Sequence, residues 1–268
     1  MVVNTNNLHR PAQQEAATPA QHADPHFLPT PQFWVEAREV RSQYTGEWVL
    51  GFKDVTAPTN VRTMIAAIVP CAGLGNTLPA ILPSEGSAYP QWVPLLLGNL
   101  NSFALDFLAR QKVQGQHLNW YIVEQFPLIR PEQFEQPLPS PSAALLPLPL
   151  AGEGQGRGCA TLADFVRGEV LRLSYTAHDL APFAHDMGYD GAPFAWDEDD
   201  RRHRLARLDA LFFHLYGLAR DDAAYILDTF PIVREHDEKA HGRYLTKELI
   251  LAYMNAVAAG DFTTVVQL

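Results

Sequence analysis

The stretch from Trp92 to Ile122, WVPLLLGNLNSFALDFLARQKVQGQHLNWYI, decides how this chain is read. Leu96, Leu100, Phe103 and Phe107 recur at helical spacing, Pro94 suits a first helical turn, and Gly115 ends the pattern. One apolar helix with a buried face is predicted. Its last turn carries Arg110, Gln111 and Lys112, and from Gln116 to Ile122 polar and apolar residues alternate as in a half-buried strand. Such a helix, cationic tip and strand present polar side chains to a partner.

Outward from this stretch the chain divides by composition. Residues 1–31, rich in Asn, Gln, Ala, His and Pro without periodicity, read as a disordered or extended arm. Residues 32–136 carry strand-like runs at Trp48–Phe52 and Met64–Val69 between Pro and Gly, and read as a mixed α/β region. Residues 137–160 contain PLPSPSAALLPLPLAGEGQGRG, a linker or inserted loop. Its glycines follow no credible strand and open no clear helix, which weighs against a phosphate-binding loop.

Residues 161–268 read as a small helical domain. Helices are predicted over Leu162–Leu180, over Arg201–Tyr216 with Leu205, Leu208, Phe212 and Leu215 on one face, from Asp221 to Thr229 before Pro231, and from a Thr246 cap through Ala258. The expected fold class is α+β.

At 268 residues and 47% hydrophobic content, the chain can bury a substantial core. A net charge of -10 argues against a free-standing tight DNA binder, because Lys and Arg supply most non-specific phosphate affinity. The acidity is uneven. From residue 160 onward eleven Lys and Arg face eighteen Asp and Glu, whereas residues 58–123 are nearly neutral, with Arg62, Arg110 and Lys112 against Glu85 and Asp106. Cys71 and Cys159 are too few for a disulfide framework, and no run of about 18 apolar residues suggests a membrane span. A cytoplasmic protein without a membrane partner is expected.

The segment LGNLNSFALDFLARQKVQGQHLNWYIVEQFPL resembles the target-recognition region of large adenine-specific DNA methyltransferases from type II restriction-modification and related phage-defence systems. The resemblance continues, in order, through FWVEAREVR, WVLGFKDVTAPTNVRTMIAAIVP and GLGNTLPAILP upstream. Downstream it runs through LSYTAHDLAPFAHDMGYDGAPFAWDEDDRRHRLARLDALFFHLYGL and DDAAYILDTFPIVREHDEKAHGRYLTKELI, and spans about Phe33 to Ile250. It implies double-stranded DNA and a methyltransferase catalytic domain or subunit as partners, with S-adenosylmethionine bound in that catalytic part. The family's glycine-bearing cofactor motif and its Asn-Pro-Pro-aromatic adenine clamp do not occur here, since no Asn precedes a Pro. The expected role is a non-catalytic module that selects DNA sequence.

The DNA-binding candidates are Arg62, Arg110, Lys112, Gln114, His117 and Asn119. Arg and Lys favour guanine or phosphate and Gln and Asn pair with adenine, but Arg62 alternatively forms an internal salt bridge, with Asp54 as one partner. Turn chemistry is the competing use of His117 and Asn119. Asn101 and Ser102 are read as structural. His178, Asp179, His185 and Asp186 lack metal-ligand spacing, and Asp228, Asp237, Glu238 and Lys239 stand in the wrong order for a nuclease. An interaction scaffold and a metal-dependent enzyme remain the alternative classes.

Overall fold

The computed structural model describes residues 3–4, 15–30, 34–84, 88–138 and 161–268. Short strands β1 (Val3–Asn4) and β2 (Glu15–Ala16) pair with each other, and helices α1 (Pro19–Ala23) and α2 (Ala37–Gln43) lead to the main sheet. There β3 (Trp48–Phe52) lies between β4 (Ala66–Pro70) and β5 (Ala80–Ile81), antiparallel to both. All five residues of β3 are buried, which suits a central strand of large apolar side chains covered on both faces. Trp48 stacks on Tyr89 and meets Phe183 edge-on, joining the sheet to helices from both halves of the sequence.

The predicted single helix is two helices, α3 (Tyr89–Leu100) and α4 (Phe103–Lys112), bent by 68°. Ser102 causes the break: its hydroxyl accepts from the Leu105 amide as an N-cap and donates to Asn99 O. Asn101 uses the kink to reach the sheet. Its side-chain amide accepts from Ala66 N and donates to Ala66 O, both at 2.9 Å, as a neighbouring strand residue would. Asn101 and Ser102 are thus structural, as expected.

The predicted strand over Gln116–Ile122 is also corrected. Only the Val55–His117 bridge has strand character, and Trp120–Val123 forms a short helix, α5. The reason is burial spacing: Leu118 and Ile122 are the core residues, four apart. Helix α6 (Pro131–Phe134) follows. Residues 139–160 of the Pro- and Gly-rich tract lie outside the described residues, but its flanks meet through the Pro137–Thr161 bridge and a 3.0 Å bond from Leu162 N to Gln136 O.

The rest is helical: α7 (Leu162–Ser174), a 3-10 turn at His178–Leu180, α8 (Ala181–Asp186), α9 (Glu198–Leu215), α10 (Arg220–Asp228), α11 (Pro231–His241) and α12 (Leu245–Ala258). The helix predicted to reach Leu180 stops at Ser174, and α11 was not predicted, because Pro231 opens a helix there instead of merely ending one. Helix α12 starts one residue before the expected Thr246 cap, and the Asp237 carboxylate accepts from the Thr246 amide. Leu205 stands exposed outside the buried face of α9. Asp197 caps α9 by accepting from Asp200 N, so the helix starts at Glu198, ahead of the predicted Arg201.

One apolar core runs through both regions. Asn99 donates to the Tyr216 hydroxyl at 2.7 Å, and Gly98 lets α3 approach Phe212 and Val166 so closely that an added Cβ would stand 3.1 Å from the Phe212 ring. The mixed α and β content is as expected. No single helix among the described residues is long and apolar enough to cross a membrane.

A tyrosine completes the sheet. The Tyr89 hydroxyl accepts from Leu50 N at 3.0 Å and donates to Ile81 O at 2.6 Å, inserted between paired residues of β3 and β5. Burial raises its pKa to about 12. Tyr89→Phe leaves both backbone groups unpaired, and urea unfolding is expected to show a loss of about 1–3 kcal/mol.

Candidate nucleic-acid interface

The six candidate residues separate into an internal pair and a surface group. Arg62 donates from Nε to Asp106 Oδ2 at 2.8 Å and from Nη2 to Asn101 O, and its guanidinium lies 3.9 Å from the Phe103 ring centroid. The internal salt bridge anticipated for Arg62 exists, with Asp106 as its partner in place of Asp54. Arg110 is more enclosed, its side chain 9% exposed. It donates to Thr229 O at 3.2 Å, Asn60 O at 2.6 Å and Val61 O at 3.0 Å, and stacks over Phe230. Burial pulls its pKa below the usual arginine value. Both cations hold the molecule together.

Asp106 organises them. Fully buried, its carboxylate accepts from the Thr63 and Met64 amides at 2.9 and 2.8 Å as well as from Arg62. Nearby, buried Asp209 on α9 accepts from Phe103 N at 2.7 Å, capping the start of α4 from the helical region. Burial, with the Asp106 charge adding to it, lifts Asp209 from 3.8 to about 6 against the opposing effects of Arg62 and the Phe103 amide.

The other four candidates lie on the last residue of α4 and the segment following it. Val113, Leu118 and Ile122 are buried anchors, and the residues between them stand in solvent. Lys112 is exposed and donates to Gln125 Oε1 at 3.0 Å. Gln114 is exposed, and Asn119 is exposed at the N-cap position of α5 without bonding the helix amides through its side chain. His117 Nδ1 lies 2.6 Å from Asp54 Oδ2. The backbone here is fixed by bonds from Thr56 N to Gln116 O at 2.9 Å and from Leu118 N to Asp54 O at 2.8 Å.

Sequence reading missed three members of this surface. Trp120 and Tyr121 are 43% and 64% exposed, and Lys53 is exposed beside Asp54. Trp120 packs edge-on against Phe52, which fixes α5 to the sheet. The surface combines amide, imidazole, ammonium and aromatic groups, suited to base edges and base faces.

Among the described residues no group of three or more His, Cys, Asp or Glu side chains is placed to hold a metal. His178 stacks on His26, and Asp186 accepts from Trp48 Nε1 at 2.8 Å. Asp228 pairs with Lys247 and Glu238 with Arg234. Comparison with protein-family models, curated proteins and solved structures finds no match.

Two outcomes test these placements. Arg110→Ala is expected to cost about 3 kcal/mol of stability by removing the donor shared by the Asn60, Val61 and Thr229 carbonyls and the stack on Phe230, whereas Ala at Lys112, Gln114 or Asn119 should each change it by less than about 0.5 kcal/mol in chemical denaturation. For Asp209 the folded pKa is raised, so its favourable contribution is full below the unfolded value and is lost as pH rises through about 6. Relative to Asp209→Asn, which keeps an acceptor for Phe103 N, the wild type should lose about 2 kcal/mol between pH 4 and pH 7.

Proposed function

We propose that this chain is the non-catalytic, sequence-reading module of an adenine-specific DNA methyltransferase or restriction-modification protein. Its partners are double-stranded DNA and a catalytic domain or subunit, which supplies the S-adenosylmethionine site. The single observation that carries this reading is the end of α4 and the anchored segment after it, where Lys112, Gln114, His117 and Asn119 stand exposed beside Trp120 and Tyr121. The ordered resemblance from about Phe33 to Ile250 supports it. Gln and Asn amides pair with adenine edges, and Lys112 meets phosphate or guanine. Arg62 and Arg110 act indirectly, by tying α4 to residues 60–62 that precede β4.

This arrangement favours selection over grip. With two of the candidate cations engaged internally and a net charge of -10, phosphate neutralisation falls largely to the partner. An interaction scaffold is the second reading, favoured by Trp34, 82% exposed on the approach to α2. It requires no salt-dependent DNA affinity.

The test is duplex binding by the full chain over a salt series, alone and with the catalytic partner. Lys112→Ala should lower the salt slope by about one, and Gln114→Ala or Asn119→Ala should weaken binding to the preferred sequence about tenfold with the slope unchanged. Affinity absent under both conditions, or indifferent to all three substitutions, removes the DNA reading.

A further inference from the structure

His117 is held unusually firmly for an exposed side chain. Its backbone forms an antiparallel bridge with Val55, the adjoining residues bond to Asp54 and Thr56, and its ring contacts the Asp54 carboxylate at 2.6 Å. The two partners differ in exposure: the His117 side chain is 58% accessible and that of Asp54 only 10%. A carboxylate offers acceptors only, so the proton on this contact belongs to Nδ1, which donates to Asp54 Oδ2. In the neutral ring Nε2 then carries a lone pair.

We propose that Asp54 is a positioning residue that holds His117 as the Nδ1–H tautomer with Nε2 as an acceptor, for an exocyclic amino group on a base edge. Adenine N6 and cytosine N4 are the major-groove donors of this kind. The inference rests on the DNA reading above and adds the group that His117 recognises. Fixing the ring in advance removes the rotamer and tautomer cost that a free surface histidine meets on binding. The acid sits behind the ring, so its charge is kept off the phosphates.

The experiment has two arms on the full chain. Nitrogen-15 NMR of the His117 ring at a pH where it is neutral should report Nδ1–H in the wild type and in Asp54→Asn, which retains an acceptor, and a shift toward Nε2–H in Asp54→Ala. In the second arm, duplexes are enriched from a randomised pool with the wild type, and each exocyclic amine of the preferred site is replaced singly by hydrogen. One such replacement should weaken wild-type binding about tenfold, leave His117→Ala and Asp54→Ala unaffected, and again weaken Asp54→Asn. An Nε2–H ring in the wild type, or retention in His117→Ala or Asp54→Ala of every amine preference that the wild type shows, overturns this inference while leaving the DNA reading standing. Failure to enrich any sequence overturns both.

Discussion

The carboxylate of Asp106 is the constraint on which the rest of the molecule depends. A buried, unpartnered carboxylate is strongly unfavourable, and this one is compensated by two backbone amides from the segment after β3 and by the Arg62 guanidinium. Satisfying it draws residues 62–64 onto α4 and places Ala66 where Asn101 completes its hydrogen bonds. Arg62 then lies on Phe103, whose amide is capped by Asp209 from α9, and Arg110 lies on Phe230. The sheet, the kinked helices and the helical region are coupled through one buried polar network. Such networks specify a unique arrangement only when their members are satisfied, and here Arg110 Nε, 4.0 Å from Asp106, is the one buried side-chain atom of the network without a hydrogen bond.

Local periodicity made much of the architecture legible. The strands at Trp48 and Ala66, the body of α9 and the start of α10 follow from apolar runs, acids at helix N-termini and breakers. The kink at Asn101–Ser102 escaped because Leu96, Leu100, Phe103 and Phe107 keep helical spacing across it, although Ser102 is a residue type suited to an N-cap. The segment from Gln116 escaped for the opposite reason: its polar and apolar residues alternate, while only Leu118 and Ile122 are strongly buried within it. At the site, exposure of Lys112, Gln114, His117 and Asn119 accords with the sequence reading. The engagement of Arg62 with Asp106 and of Arg110 with Thr229 joins residues 44 and 119 positions apart, which local pattern does not encode.

The internal arginines and the exposed polar residues occupy different parts of this region. The arginines rigidify the base of the tip, and shorter polar groups and aromatics occupy its outer surface. In a DNA reader, phosphate contacts fix register and base contacts give sequence information. Under the proposed function, a tip with few free cations suits the second role, and the first falls to the proposed catalytic partner.

Amide hydrogen exchange on the full chain, with and without a randomised duplex pool at low salt, tests the central claim most directly. Slower exchange confined to residues 112–121 and the adjoining 53–56 segment is expected on adding DNA. Unchanged exchange there, or protection centred on Trp34 and α2 instead, would contradict it.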